Sequence, residues 1–143
     1  MPPEDLSHLP GSLDEALVAG DLPDRFDWRN HNGSSYVTPA KDQQGCAACY
    51  AFAFLGQMEA KLRMDGAGSY DLSENHAKEC NWTAASRFES PPGSPWGSCN
   101  GGNSFMLANL FSQTGTVLES CDPFVPGDVS CGGSCPYQQT VLD

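Results

Sequence analysis

Lys41-Asp-Gln-Gln-Gly-Cys-Ala-Ala-Cys-Tyr-Ala-Phe52 sets two cysteines, Cys46 and Cys49, three positions apart and directly before a run that reads as a helix. From Cys49 to Met64 there is no proline, and the only glycine is Gly56. Apolar Ala51, Phe52, Leu55, Met58 and Leu62 recur at spacings that a 3.6-residue helix gathers on one side. Cys49 therefore falls at or beside the helix N-terminus. Unpaired N–H groups and the helix dipole favour negative charge there, so a thiol in that place gains thiolate character and nucleophilicity. Two donors suit a tetrahedral oxyanion: the backbone N–H of Cys49 and the side-chain amide of Gln43, six residues upstream in a loop.

The rest of the composition narrows the classes. A chain of 143 residues with 39% hydrophobic content has enough material for one domain with its own core. Seven Lys and Arg against 18 Asp and Glu leave a net charge of -11, which repels phosphate backbones and anionic membrane surfaces, so no nucleic-acid partner and no membrane partner is expected. No apolar run approaches the ~18 residues needed to span a bilayer. Met1-Pro-Pro-Glu-Asp5 lacks the basic and apolar parts of a signal peptide, and the start reads as already trimmed or recloned from a larger precursor.

A lone CxxC is compatible with redox, metal-binding and structural uses. What flanks it points further. Cys46-Ala-Ala-Cys-Tyr50 resembles the active-site signature of the papain-like cysteine proteases, with Ala47 where glycine is usual and Tyr50 where tryptophan is commoner. Leu22-Pro-Asp-Arg-Phe-Asp-Trp-Arg29 resembles the mature N-terminus of that family, and Val37-Thr-Pro-Ala-Lys-Asp-Gln43 the segment leading to its oxyanion glutamine. Leu72-Ser-Glu74 through Cys80 resembles its second helix, Cys99-Asn-Gly-Gly102 its disulfide and substrate-binding loop, and Glu119-Ser-Cys-Asp-Pro-Phe124 its Glu-x-x-Tyr-Pro-Tyr turn. The fold class so implied is mainly α with irregular loops: the left, helical domain of the papain-like α+β fold, disulfide-bonded.

The resemblance implies site residues and pairings. Cys49 is the implied nucleophile, Gln43 the oxyanion donor, and Asn100, Gly101 and Gly102 the substrate-binding loop, where absent side chains let an extended peptide approach the backbone. The implied disulfides are Cys46–Cys99 and Cys80–Cys131, leaving Cys121 and Cys135 as a third pair outside the family pattern. A competing pairing joins Cys80 to Cys121 and closes a tight Cys131–Cys135 loop. In either case seven cysteines leave Cys49 unpaired. A zinc site built on Cys46 and Cys49 lacks a second CxxC at matching distance, so neither metal nor cofactor is expected.

Residues 1–21 read as an N-terminal extension or propeptide remnant, with Ser12 capping a short helix through Val18 and His8 solvated. The resemblance implies that residues 22–143 form the papain-like left domain, with Tyr137 to Asp143 expected to begin the crossing into a C-terminal β domain absent from this chain. Asn32-Gly33 marks a turn beside a surface His31, and Asn32 and Asn81 match glycosylation acceptors by pattern. The first helix ends at Asp65-Gly-Ala-Gly68, and Glu59 within it reads as a structural, partly buried carboxylate. Ser73 caps a second helix on which His76 reads as a surface residue. A polar loop follows from Asn81 to Ser98, with Trp82 and Trp96 folded against the domain. The third helix, capped by Asn103 or Ser104, runs to about Gln113 with Met106, Leu107, Leu110 and Phe111 inward and Gly115 as its stop.

One element of the chemistry is absent. Cysteine attack on an amide needs a base to hold the thiolate and to protonate the leaving amine, and the family uses a histidine oriented by an asparagine. These belong ~130–150 residues after the nucleophile, whereas 94 residues follow Cys49 and none after His76 is histidine. Three readings follow: half of a papain-like peptidase completed by a domain on the same precursor or a second chain, a catalytically inactive peptide-binding homologue, or a CxxC redox or metal module. The first is an endopeptidase acting on peptide or protein substrates, made as a zymogen, in a secreted or lysosome-like oxidising compartment.

Overall fold

The computed structural model describes residues 25–85, 97–131 and 135–136. The expected leader helix from Ser12 to Val18, His8, the packing of Trp82 and Trp96, and the crossing from Tyr137 to Asp143 lie outside these residues or, for Trp82, outside the described side chains. Among the described residues three α-helices carry the fold: α1 (Cys49–Met64), α2 (Glu74–Ala85) and α3 (Ser104–Thr114). Single 3₁₀ turns at Trp28–Asn30 and Ser98–Asn100 punctuate the connections.

Helix α1 buries a stripe of Tyr50, Ala51, Leu55, Glu59 and Leu62, while Phe52 and Met58 are half-buried on its flanks. Its end follows from Gly66 at φ +72, a left-handed residue that helix geometry cannot continue, and from Lys61 paired with Asp65 one turn on. At α3, Asn103 accepts from the N–H groups of Phe105 and Met106 at 3.0 and 3.2 Å, and Gly115 at φ +75 closes the other end. Leu107 and Leu110 are buried, and Phe111 stacks on Phe54 of α1 with centroids 5.5 Å apart. The principal core is Tyr50, Ala51, Leu55, Leu62, Leu72, Ala77 and Leu107.

Helix α2 departs from the sequence reading. Ser73 does cap it, its hydroxyl accepting from the His76 N–H at 2.8 Å. The helix then continues to Ala85, so Asn81 is helical and not the start of a loop. All residues from Leu72 to Asn81 are buried, including Asn75, His76, Lys78 and Glu79. The reason is the segment 116–129, which lies over the polar side of α2 and supplies bonds in place of water. Asn75 donates to Asp122 at 2.8 Å, Lys78 donates to the Gly127 carbonyl at 2.8 Å, and Glu79 accepts from the Val129 N–H at 3.0 Å.

His76 is therefore no surface residue. It packs within 3.5 Å of the Thr116 hydroxyl, and burial pushes its pKa down. Asn81 is fully enclosed, its amide donating to Tyr50, Ala77 and Lys78, so the folded chain offers no glycan acceptor there. Asn32 stays exposed, at φ +52 beside Gly33 at φ +80, in a tight turn bridged by His31 and Ser34. His31 is half-buried in a surface cluster with the exposed Phe26 and Trp28 and with Tyr36.

Three disulfides tie the connections down: Cys46–Cys99, Cys80–Cys131 and Cys121–Cys135. The first two close loops of 53 and 51 residues. On the chain-entropy account each restricts the unfolded chain by about 4 kcal/mol. Cys80 bonds Cys131 rather than Cys121, and so holds the covering segment onto α2.

Candidate active site

Cys49 is the first residue of α1, exposed, and the free cysteine of the described residues. The preceding Ala48 caps the helix without a side-chain bond, and the first turn carries no acidic residue. The positive end of the helix thus meets no competing carboxylate of its own. Cys46 is committed to Cys99, which removes it from any CxxC redox or metal pair with Cys49. Among the described residues no group of three or more His, Cys, Asp or Glu is placed to hold a metal ion.

Gln43 sits in the loop before the helix, held from both ends. Its carbonyl accepts from the Cys46 N–H at 3.2 Å, and its side-chain amide donates to the Cys46 carbonyl at 2.9 Å. The amide nitrogen has two hydrogens, so one remains to be offered outward. Two residues earlier, Lys41 meets Asp71 at 2.6 Å, Glu74 at 2.7 Å and the fully buried Glu59 at 3.5 Å. Burial alone would lower the Lys41 pKa, but the bonds to Asp71 and Glu74 outweigh it and raise it above the usual lysine range. Burial lifts Glu74 to about 7 despite Lys41, and raises Glu119 as well. Glu59 also accepts from the Leu72 N–H at 2.8 Å, so this cluster locks the loop bearing Gln43 to α1 and to the start of α2.

Across from this loop, Asn100 is exposed while Gly101 and Gly102 are half-buried. Gly101 has φ +88, a conformation that favours glycine. Gly102 has a second reason: a Cβ there would lie 2.6 Å from the Tyr50 ring. The Tyr50 hydroxyl donates to the Ser98 carbonyl at 3.2 Å and accepts from Asn81, while burial pushes its pKa up to about 12. Ala47 N–H donates to the Cys99 carbonyl at 3.2 Å, beside the Cys46–Cys99 bond. The structure therefore brings the Cys49 loop and the Asn100–Gly102 loop together through Tyr50, Cys46 and Ala47. Sequence reading flagged Tyr50 only as an unusual packing residue and gave no signal for Ser98, Glu79 or Asp128, which complete this junction.

A base is not part of the described arrangement: His31 lies in the aromatic cluster and His76 is buried beneath Thr116. The papain family cysteine protease model matches residues 22–142, and the chain belongs to that family. A cathepsin L-like proteinase of Fasciola hepatica is 31% identical over 122 residues, covering 84% of this chain and 32% of its own length. Cathepsin L2 of Homo sapiens is 31% identical over 115 residues, covering 78% and 30%. The chain spans about a third of the length of these relatives. Among solved structures, one of the mite allergens Blo t 1 and Der p 1 matches with TM-score 0.63 and 26% identity, over 86% of this chain and 37% of the other. Bromelain protease from Ananas comosus, with the E64 inhibitor, matches with TM-score 0.61 and 24% identity over 81% and 47%, a likeness of fold. The fold is the helical left domain of the papain-like architecture.

Proposed function

We propose that this chain is the nucleophile-bearing half of a papain-like cysteine endopeptidase. Residues 22–143 are its left domain, residues 1–21 an extension or propeptide remnant, and a C-terminal β domain on the same precursor or a second chain supplies histidine and asparagine. The observation that carries this reading is Cys49: unpaired, exposed, at the first position of α1, with Gln43 of the preceding loop bonded to the Cys46 carbonyl.

In the proposed reaction the Cys49 thiolate attacks the scissile carbonyl carbon, and the oxygen gains charge that the Cys49 N–H and Gln43 amide receive. The C–N bond breaks, the amine leaves with a proton from the partner's imidazolium, and a thioester remains. Water then releases the acid and restores the thiol. Asn100, Gly101 and Gly102 offer backbone to an extended peptide. The three disulfides accord with a secreted or lysosome-like compartment.

Peptide-amide hydrolysis by the native protein tests this. Cys49→Ala should abolish turnover, and Gln43→Ala should lower kcat by about 10²–10³, the scale of one lost oxyanion donor. Turnover that survives Cys49→Ala excludes the mechanism. Peptide binding without turnover in the wild type identifies an inactive homologue instead.

A further inference from the structure

Ser98 adopts φ +47, in the left-handed region where a side chain is tolerated at a cost and glycine is free. Glycine stands at positions 97 and 101, both at positive φ, while position 98 between them carries a side chain in the same region. The serine is nevertheless 6% exposed, and its carbonyl and hydroxyl are both bonded. Its carbonyl accepts from Tyr50 at 3.2 Å. Its hydroxyl lies 2.7 Å from both Glu79 Oε1 and Asp128 Oδ1, one proton between two carboxylates. Asp128 also accepts from the Cys99 N–H at 3.1 Å, and the Ser98 and Cys99 bonds hold its carboxyl below the usual range. Glu79 is held in turn by Lys78, fully buried, paired with it and poised over the Phe124 ring at 5.8 Å. Strain that is retained at a site bordering a binding loop, and is held by surrounding bonds, points to a positional role.

We propose that Ser98 is a positioning residue for peptide binding, its hydroxyl fixing where Asn100, Gly101 and Gly102 meet the substrate. The proposal rests on the peptidase reading above. Ser98 touches no reacting atom and acts through the loop that follows it. Glu79 on α2 and Asp128 on the covering segment both hold the hydroxyl. Cys99, next in the chain and also bonded to Asp128, passes that placement to the binding loop.

The test compares two alkylations of Cys49 in the native protein: by a peptidyl epoxide, which needs the binding loop, and by iodoacetamide, which does not. Ser98→Gly removes the hydroxyl and the backbone strain together, so a purely structural role predicts a change confined to stability, with no change in peptidyl labelling. Positioning predicts that the peptidyl rate falls about fivefold, the scale of one buried hydrogen bond, with the iodoacetamide rate unchanged. Asp128→Ala, at an exposed residue, should act in the same direction, and Asp128→Asn, which keeps an acceptor oxygen, should restore the rate. Unchanged peptidyl labelling in both Ser98→Gly and Asp128→Ala overturns the proposal alone, as does an equal fall with both reagents. A wild type that iodoacetamide labels and the peptidyl epoxide does not removes the peptidase reading and this proposal with it.

Discussion

A methyl group on Gly102 would enter the Tyr50 ring, and that ring cannot swing aside because its hydroxyl is bonded to Ser98 and Asn81. Gly102→Ala should therefore cost about 1–3 kcal/mol, the usual penalty of overpacking, read as a lower urea midpoint at unchanged slope. A loss below about 0.5 kcal/mol would show that the ring moves. At this scale the sequence was partly legible. Cys49 and Gln43 stand out by residue type and spacing, and the structure leaves Cys49 unpaired at the start of α1. The two glycines were read as room for a substrate, which left unseen that one of them makes room for a tyrosine. Nothing in the string Gly97-Ser98-Cys99 announces a left-handed serine, since its bonding partners lie 19 and 30 residues away.

Helices α1 and α3 were legible to their ends because local chemistry sets them: an asparagine cap, glycine stops and an apolar stripe. Helix α2 was not, because a polar face covered by a polar segment has the same residues as a face covered by water. Its buried pair gives a prediction. Lys78→Met leaves Glu79 enclosed without its cation and should destabilise the fold by roughly 3–5 kcal/mol in urea unfolding. A change within about 0.5 kcal/mol would mean that Glu79 is adequately held by Ser98 and Val129. The start of α2 carries a pH dependence. Glu74, raised from 4.5 to about 7, binds its proton more tightly folded than unfolded. Its contribution is complete below pH 4.5 and is lost as pH rises through about 7. His76, lowered by burial, acts oppositely: its contribution is present above 6.5 and lost as pH falls. The difference in Tm between wild type and Glu74→Gln isolates the first effect, and it should widen in favour of wild type as pH drops from 7.5 to 5. A pH-independent difference would contradict the buried carboxyl.

The molecule as a whole is a helical layer closed by three cross-links, with one sulfur left over. Its resemblance to a known family was legible in the order of short matches from Leu22 to Cys131, whereas the wrapping of residues 116–129 over α2 required the structure, because long-range coverage leaves no periodic mark. Reduction should act most strongly through the two long loops: breaking Cys46–Cys99 releases the Asn100–Gly102 loop from the Cys49 loop, so peptide labelling of Cys49 should fall before α-helical circular dichroism does. Helical signal lost in step with labelling would place the cross-links in the core fold instead. The account turns most directly on the state of Cys49, which mass mapping of thiols in the native, unreduced protein reads. One equivalent of iodoacetamide on Cys49, with Cys46, Cys80, Cys99, Cys121, Cys131 and Cys135 unmodified until reduction, is the predicted result; Cys49 recovered in a disulfide-linked peptide, or left unmodified while another cysteine reacts, would contradict it.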